Sequence, residues 1–277
     1  VSAMAAHQRF AGTDDERVAA IGRAAASGAD VVMITRGGYG LTRLLDRLPY
    51  AEIAASIRKG TQWVGFSDFT AFGLAVLAQT HQATWAGPAM GEDWGAKGGV
   101  DEIMQAFFED LLNQQSEGTG WRLPAADFKR HPQLLEGWHA NTGLCWGGNL
   151  SVLVGLLGTP YFPQVSQGVL FLEDVNEHPY RIERMLSQLL YAGVLDQQQG
   201  ILMGQFSVPP KPSHDKGFGM PAVIDWLASK TSTPILTNLP FGHVPTKVLL
   251  PVGQEVDLVV AGKEALLFWE ADEALLT

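Results

Sequence analysis

Cysteine is nearly absent. Cys145 is the single one in 277 residues, which excludes an internal disulfide and any zinc site built on a cysteine cluster. Its neighbours in "GLCWGG" are apolar, so it reads as a core residue and not as a nucleophile. Positive charge is also scarce: 19 Lys and Arg stand against 29 Asp and Glu, for a formal net charge of −10. The basic residues are scattered instead of gathered in a stripe, so the electrostatic footprint of a nucleic-acid binder is missing and a small or cationic partner fits better than a polyanion. No apolar run approaches the roughly 18 to 20 residues of a membrane-spanning helix. The first residues do not show the basic and then apolar order of a secretory signal, so a soluble, cytoplasmic chain without a membrane partner is expected. There is no His-Glu-x-x-His, and "SHD" and "EDVNEH" offer ligand types without a recognised spacing, so neither a metal nor a cofactor is expected.

What is present is an ordinary globular composition, 46% hydrophobic and 17% charged, with length enough for one large domain or two modest ones. "AGTDDERVAAIGRAAASGAD" opens with Thr13 and Glu16 at capping-box spacing and predicts a helix ending near Gly28. "VVMIT" reads as a buried strand that empties into "RGGYG"; "TQWVGF" is a second strand, followed by the helical "DFTAFGLAVLAQTH". "ATWAGPAM" and "VDEIMQAFFEDLLNQ" continue the alternation as a short strand and an amphipathic helix. Strands alternating with helices predict an α/β fold, with a doubly wound, mostly parallel sheet in an N-terminal domain over 1–115. Residues 116–140 are polar, carry two prolines and lack a clear period, and read as a linker. A strand-rich α/β C-terminal domain over 141–277 follows, ending in "KVLLPVG", "EVDLVV" and "ALLFWE".

In open parallel sheets ligands bind at the carboxyl ends of the strands, where both "RGGYG" and "GFSD" fall. Ser67 there has two readings, a helix cap or a nucleophile. A nucleophilic serine needs a base, a group to orient that base, and donors for the oxyanion. Of the seven histidines, His81 and His131 have polar surroundings and are expected to face solvent, whereas His243 sits on the Gly- and Pro-punctuated turn "LPFGHVPTK" directly after a strand. Glu173 ends the apolar strand "VLFLE" in strand register and cannot easily cap the next helix, a role that suits Asp174 or Asn176; it could instead hold an imidazole. Donors could come from the glycine-rich "RGGYG" and from the N–H of Asp68, in the manner of a nucleophile elbow, although Phe66 stands where that pattern has Gly. Capping of the helix after Ser67 then falls to Asp68.

"RGGYG", "GFSDFTA", "WGGNLSVL", "GTPYF", "FLEDVNEHPYRIERML" and "FGH" occur in the order and approximate spacing of the LD-carboxypeptidases, and the chain resembles that family from about Phe10 onward. The resemblance implies a serine peptidase, usually a cytoplasmic homodimer, that releases the terminal D-alanine of a murein tetrapeptide after meso-diaminopimelate or another diamino acid during cell-wall recycling. It implies Ser67 as nucleophile, Glu173 as orienting acid, His243 as general base, the backbone of Gly38 and Asp68 as oxyanion donors, and Arg36, Tyr39 and Asn149 as lining the substrate site. The strand, Ser- and Gly-containing loop and helix of roughly 40 to 50 residues with which members usually begin have no counterpart before "QRFAGTDDERV", so an unpaired sheet edge is expected and activity turns on whether the triad is still aligned. Two other functions fit the same residues: a relative that hydrolyses a peptide antibiotic or nucleotide-peptide conjugate to confer immunity, and a peptide-binding protein without catalysis.

Overall fold

A computed structural model describes residues 6–210 and 213–269, which form two sheets sharing one hydrophobic core. Helix α1 (Asp14–Ala25) starts at a complete capping box: Glu16 N donates to Thr13 Oγ1 at 3.3 Å, and Thr13 N donates to Glu16 Oε2 at 2.8 Å. Strand β1 (Val31–Met33) follows, then a 3₁₀ stretch over Leu41–Arg47 and helix α2 (Tyr50–Arg58), the two separated at Pro49. Strand β2 (Gln62–Gly65), helix α3 (Phe69–Thr80), strand β3 (Thr84–Ala86) and helix α4 (Glu102–Leu112) complete the N-terminal half. β1, β2 and β3 run parallel, and β1 forms the sheet edge among the described residues, with its side chains only half-buried.

The second sheet contains strands β4 (Gly118–Arg122), β5 (Trp138–Asn149), β6 (Val169–Val175), β7 (Gly200–Ser207) and β8 (Ile235–Leu236), with helices α5 (Ala125–Arg130), α6 (Leu150–Leu156), α7 (Pro179–Tyr191) and α8 (Met220–Ala228) between them. Strands β9 (Leu250–Val252), β10 (Glu255–Ala261) and β11 (Glu264–Phe268) end the described chain. The order is β4-β11-β10-β5-β6-β7-β8, parallel from β5 to β8 and antiparallel on the other side. The molecule is thus the mixed α/β protein that the alternation of elements predicts. β6, buried from Val169 through Asp174, is the continuous apolar run of a strand covered on both faces.

Two expectations about organisation are corrected. Residues 116–140 are not a plain linker: β4 pairs with β11, and α5 follows it. The polar texture has a physical cause, since among the described residues β4 is an edge strand whose residues alternate between buried and exposed. "KVLLPVG", expected in the C-terminal sheet, supplies β9, which instead pairs antiparallel with β3 and closes the first sheet. The chain therefore crosses back, and the halves do not divide cleanly at one boundary. Helix α3, buried from Phe69 to Leu77, packs against α2, β3, β5 and α6, between the two sheets.

Candidate active site

Three side chains from far apart in the chain meet where the two sheets adjoin. Ser67 occupies the turn between β2 and α3 with φ +62°, a left-handed conformation that a non-glycine residue holds at a cost on the order of 1 to 3 kcal/mol. His243 follows the loop after β8, and its Nε2 lies 3.0 Å from Ser67 Oγ. Its Nδ1 lies 2.7 Å from Oε2 of Glu173, near the carboxyl end of β6. The Glu173 carboxylate can only accept, so Nδ1 carries the proton and Nε2 is left to accept from the serine hydroxyl.

Glu173 is completely buried, and its second oxygen accepts from Asn149 Nδ2 at 3.1 Å. The same amide group donates to Asp174 Oδ1 at 3.0 Å. Asn149 is itself fixed: its backbone N donates to Thr70 Oγ1 of α3 at 2.9 Å, and its Oδ1 accepts from Val152 N at 3.1 Å and Ser151 Oγ at 2.9 Å. Thr70 reaches Asn149 because Gly148 precedes it; a Cβ on Gly148 would stand 2.4 Å from Thr70 Oγ1. Asn149 is buried, bonds to Glu173 and caps α6.

Asp174 does not cap α7, and neither does Asn176; the cap position is His178, without a side-chain bond. Asp174 instead accepts from Ser151 N at 2.9 Å and Val175 N at 2.8 Å. Burial outweighs these donors and pushes its carboxyl up to about 6. Asp68 likewise makes no capping bond to α3; its Oδ2 accepts from Leu41 N at 2.8 Å and ties the end of "RGGYG" to the serine turn. Burial raises its carboxyl above the usual range, against the lowering effect of that N–H.

The "RGGYG" loop passes so close to the serine that a Cβ on Gly37 would lie 2.9 Å from both Cβ and Oγ of Ser67. Gly38 has φ +101°, and among the described residues neither its N–H nor that of Asp68 is engaged by another group. Arg36 and Tyr39 are exposed beside them, and Arg36 has no ion-pair partner among the described residues. On the other side of His243 opens a cleft of about 270 Å³ lined by Phe66, Glu92, Asp101, Met104, His243 and Lys247, among others.

The other histidines stay apart from this centre. His7, His81, His139 and His214 are exposed. His131 was expected to face solvent but is 4% exposed, and its Nε2 accepts from Ile235 N at 3.0 Å, which moves it into the core as a structural acceptor. Cys145 is fully buried in β5, where burial pushes its thiol up. Among the described residues no three His, Cys, Asp or Glu converge as metal ligands, and no helix is long and apolar enough to cross a membrane.

Residues 1–87 match the LD-carboxypeptidase N-terminal domain and residues 142–258 the LD-carboxypeptidase C-terminal domain. A crystal structure of muramoyltetrapeptide carboxypeptidase from Oxalobacter formigenes superposes with a TM-score of 0.85 at 36% identity, over 96% of this chain and 88% of that one. The chain belongs to the LD-carboxypeptidase family. Among its other relatives in the family is a probable murein peptide carboxypeptidase of Bacillus subtilis, 29% identical over 94% of this chain and 79% of that protein. The microcin C7 self-immunity protein MccF of Escherichia coli is 28% identical over 63% of this chain and 55% of that protein. A structure of MccF in complex with glutamyl sulfamoyl guanosine shares the fold, with a TM-score of 0.77 at 23% identity, over 94% of this chain and 82% of that one.

Proposed function

We propose that this LD-carboxypeptidase releases the terminal D-alanine from a murein tetrapeptide, at the bond that follows a diamino acid, in cell-wall recycling. The observation that carries the reading is the continuous chain of hydrogen bonds from Ser67 Oγ through His243 to Glu173. Ser67 Oγ attacks the scissile carbonyl as His243 Nε2 takes its proton, and the N–H groups of Gly38 and Asp68 receive the oxyanion. His243 then returns the proton to the leaving amine of D-alanine, and a water activated by the same imidazole hydrolyses the acyl-enzyme. Glu173 holds the tautomer and stabilises the imidazolium. Arg36, exposed beside the oxyanion loop, suits the terminal carboxylate of the peptide. The exposed carboxylate of Glu92 in the neighbouring cleft suits the free ammonium of a diamino acid better than a phosphate, which favours the murein substrate over an antibiotic nucleotide.

The test is release of D-alanine from a diaminopimelate tetrapeptide, followed chromatographically. The wild-type chain should turn over, and Ser67→Ala should lose kcat by on the order of 10⁵-fold while binding the peptide within a few-fold of wild type. Equal release by the two proteins would remove Ser67 from the mechanism. Hydrolysis of an aminoacyl nucleotide analogue in preference to the tetrapeptide would turn the reading toward immunity.

A further inference from the structure

Behind the cleft lies a buried ion pair that the triad does not itself require. Lys247, four positions after His243, is 2% exposed, and its ammonium is bonded to Oδ1 of the buried Asp93. Its Nζ also stands 4.0 Å from the centre of the Phe66 ring, a cation resting on an aromatic face. Phe66 is the residue just before Ser67, and its ring lies 4.9 Å from the His243 imidazole, centre to centre, tilted by 58°. Asp93 is anchored through its other oxygen, which accepts from Ala89 N at 2.8 Å. The loop from His243 to Lys247 is fastened a second time, since Thr246 Oγ1 donates to Asp101 Oδ2 at 2.6 Å.

A buried salt bridge contributes little net stability compared with apolar side chains of the same size, so stability alone does not account for this one. The geometry of the base points to another use. The imidazole is tethered to the backbone through Cβ and hydrogen-bonded to Glu173 at Nδ1 and to Ser67 at Nε2, which leaves a small tilt of the ring, enough to bend the Nε2–Oγ hydrogen bond, as its remaining freedom. Contact with the Phe66 ring removes that freedom, and the ammonium on Phe66 removes the freedom of the phenyl ring. We propose that Lys247, locked by Asp93, is a positioning residue for the general base: it pins Phe66 against His243 and so keeps Nε2 aimed at Ser67 Oγ. This rests on the reading of His243 as the base of a serine hydrolase.

The experiment compares Lys247→Met, which conserves length and volume, with Lys247→Arg, which keeps a cation for both Asp93 and the ring. A double variant, Lys247→Met with Asp93→Asn, leaves no stranded buried carboxylate and guards against simple misfolding; thermal melting confirms that it folds. Lys247→Met and the double variant should both lose kcat by about 10- to 100-fold with KM within about threefold, and Lys247→Arg should recover most of the loss. Two further readouts do not depend on the substrate: the rate at which a fluorophosphonate labels Ser67, and the downfield proton resonance of His243 Nδ1–H. Labelling should slow by the same factor as kcat, and the resonance should broaden in Lys247→Met and sharpen again in Lys247→Arg. A folded double variant that labels and turns over at the wild-type rate overturns the proposal. If the wild-type chain labels but does not release D-alanine, and Lys247→Met still labels slowly, the positioning role stands and the substrate reading falls. A wild-type chain that never labels removes both.

Discussion

The two sheets furnish the proposed catalytic centre with different materials. From the N-terminal sheet come a serine in a left-handed turn, a glycine loop pressed against it, and backbone N–H groups with no partner among the described residues: a site made of main chain and close approach. From the C-terminal sheet come Glu173, Asn149 and Asp174, all buried and linked by one side-chain amide: a site made of charge and hydrogen bonds. The first half should thus be intolerant of added atoms, the second of changed polarity at constant shape. The difference follows from what each half must do. In the proposed mechanism an oxyanion appears only during the reaction and needs donors left open for it, whereas the acid that steadies the base must be held still throughout.

Glu173→Gln tests the C-terminal half with almost no change in volume. It is expected to lower kcat by on the order of 10³- to 10⁴-fold, because the amide can present Nε2 to His243 Nδ1 and favour the wrong tautomer. Crystallography of the variant should show the fold unchanged. Gly37→Ala tests the N-terminal half with a single added carbon and no change in polarity. Its Cβ would overlap the serine side chain at 2.9 Å, so kcat should fall by about 100-fold while thermal stability drops far less than activity. A fully active Gly37→Ala, or an active Glu173→Gln, breaks the contrast on its own side.

The contrast also separates what could be read in the sequence from what could not. Strand-end positions for Ser67, Glu173 and His243 follow from local patterns, because apolar runs stop and turns begin within a few residues. Partnerships between distant strands leave no local trace. "KVLLPVG" is equally apolar whichever sheet it joins, and only the pairing with β3 places it in the first. β4 reads as linker because an edge strand with one wet face needs few apolar residues. The orientation of Asn149 was hidden for a similar reason: "GGN" announces tight backbone approach, but only the fold brings Glu173 into register beside it. Lys247 gave no signal at all, since a lone lysine after a proline turn reads as solvated.

Asp174→Asn tests the C-terminal half at the level of stability. In the folded protein burial pushes the Asp174 carboxyl up to about 6 from an ordinary value of 3.8, so the folded state holds a proton more firmly than the unfolded chain. The favourable contribution is complete below pH 3.8 and is lost as pH rises through about 6, because the unfolded chain releases its proton near 3.8 and the folded protein only near 6. Asp174 therefore weakens the fold by roughly 1 to 3 kcal/mol at neutral pH relative to acid. Asparagine cannot titrate, so this loss between pH 4 and 7 should disappear from the variant, whatever offset comes from presenting an amide to the donors of Ser151 and Val175. Chemical denaturation of the two proteins across that range measures it: the difference in stability, variant minus wild type, should rise with pH by about the same 1 to 3 kcal/mol. A constant difference would mean that the three donors around Asp174 offset its burial, and that this carboxylate is as settled in the fold as the Asn149 amide it shares with Glu173.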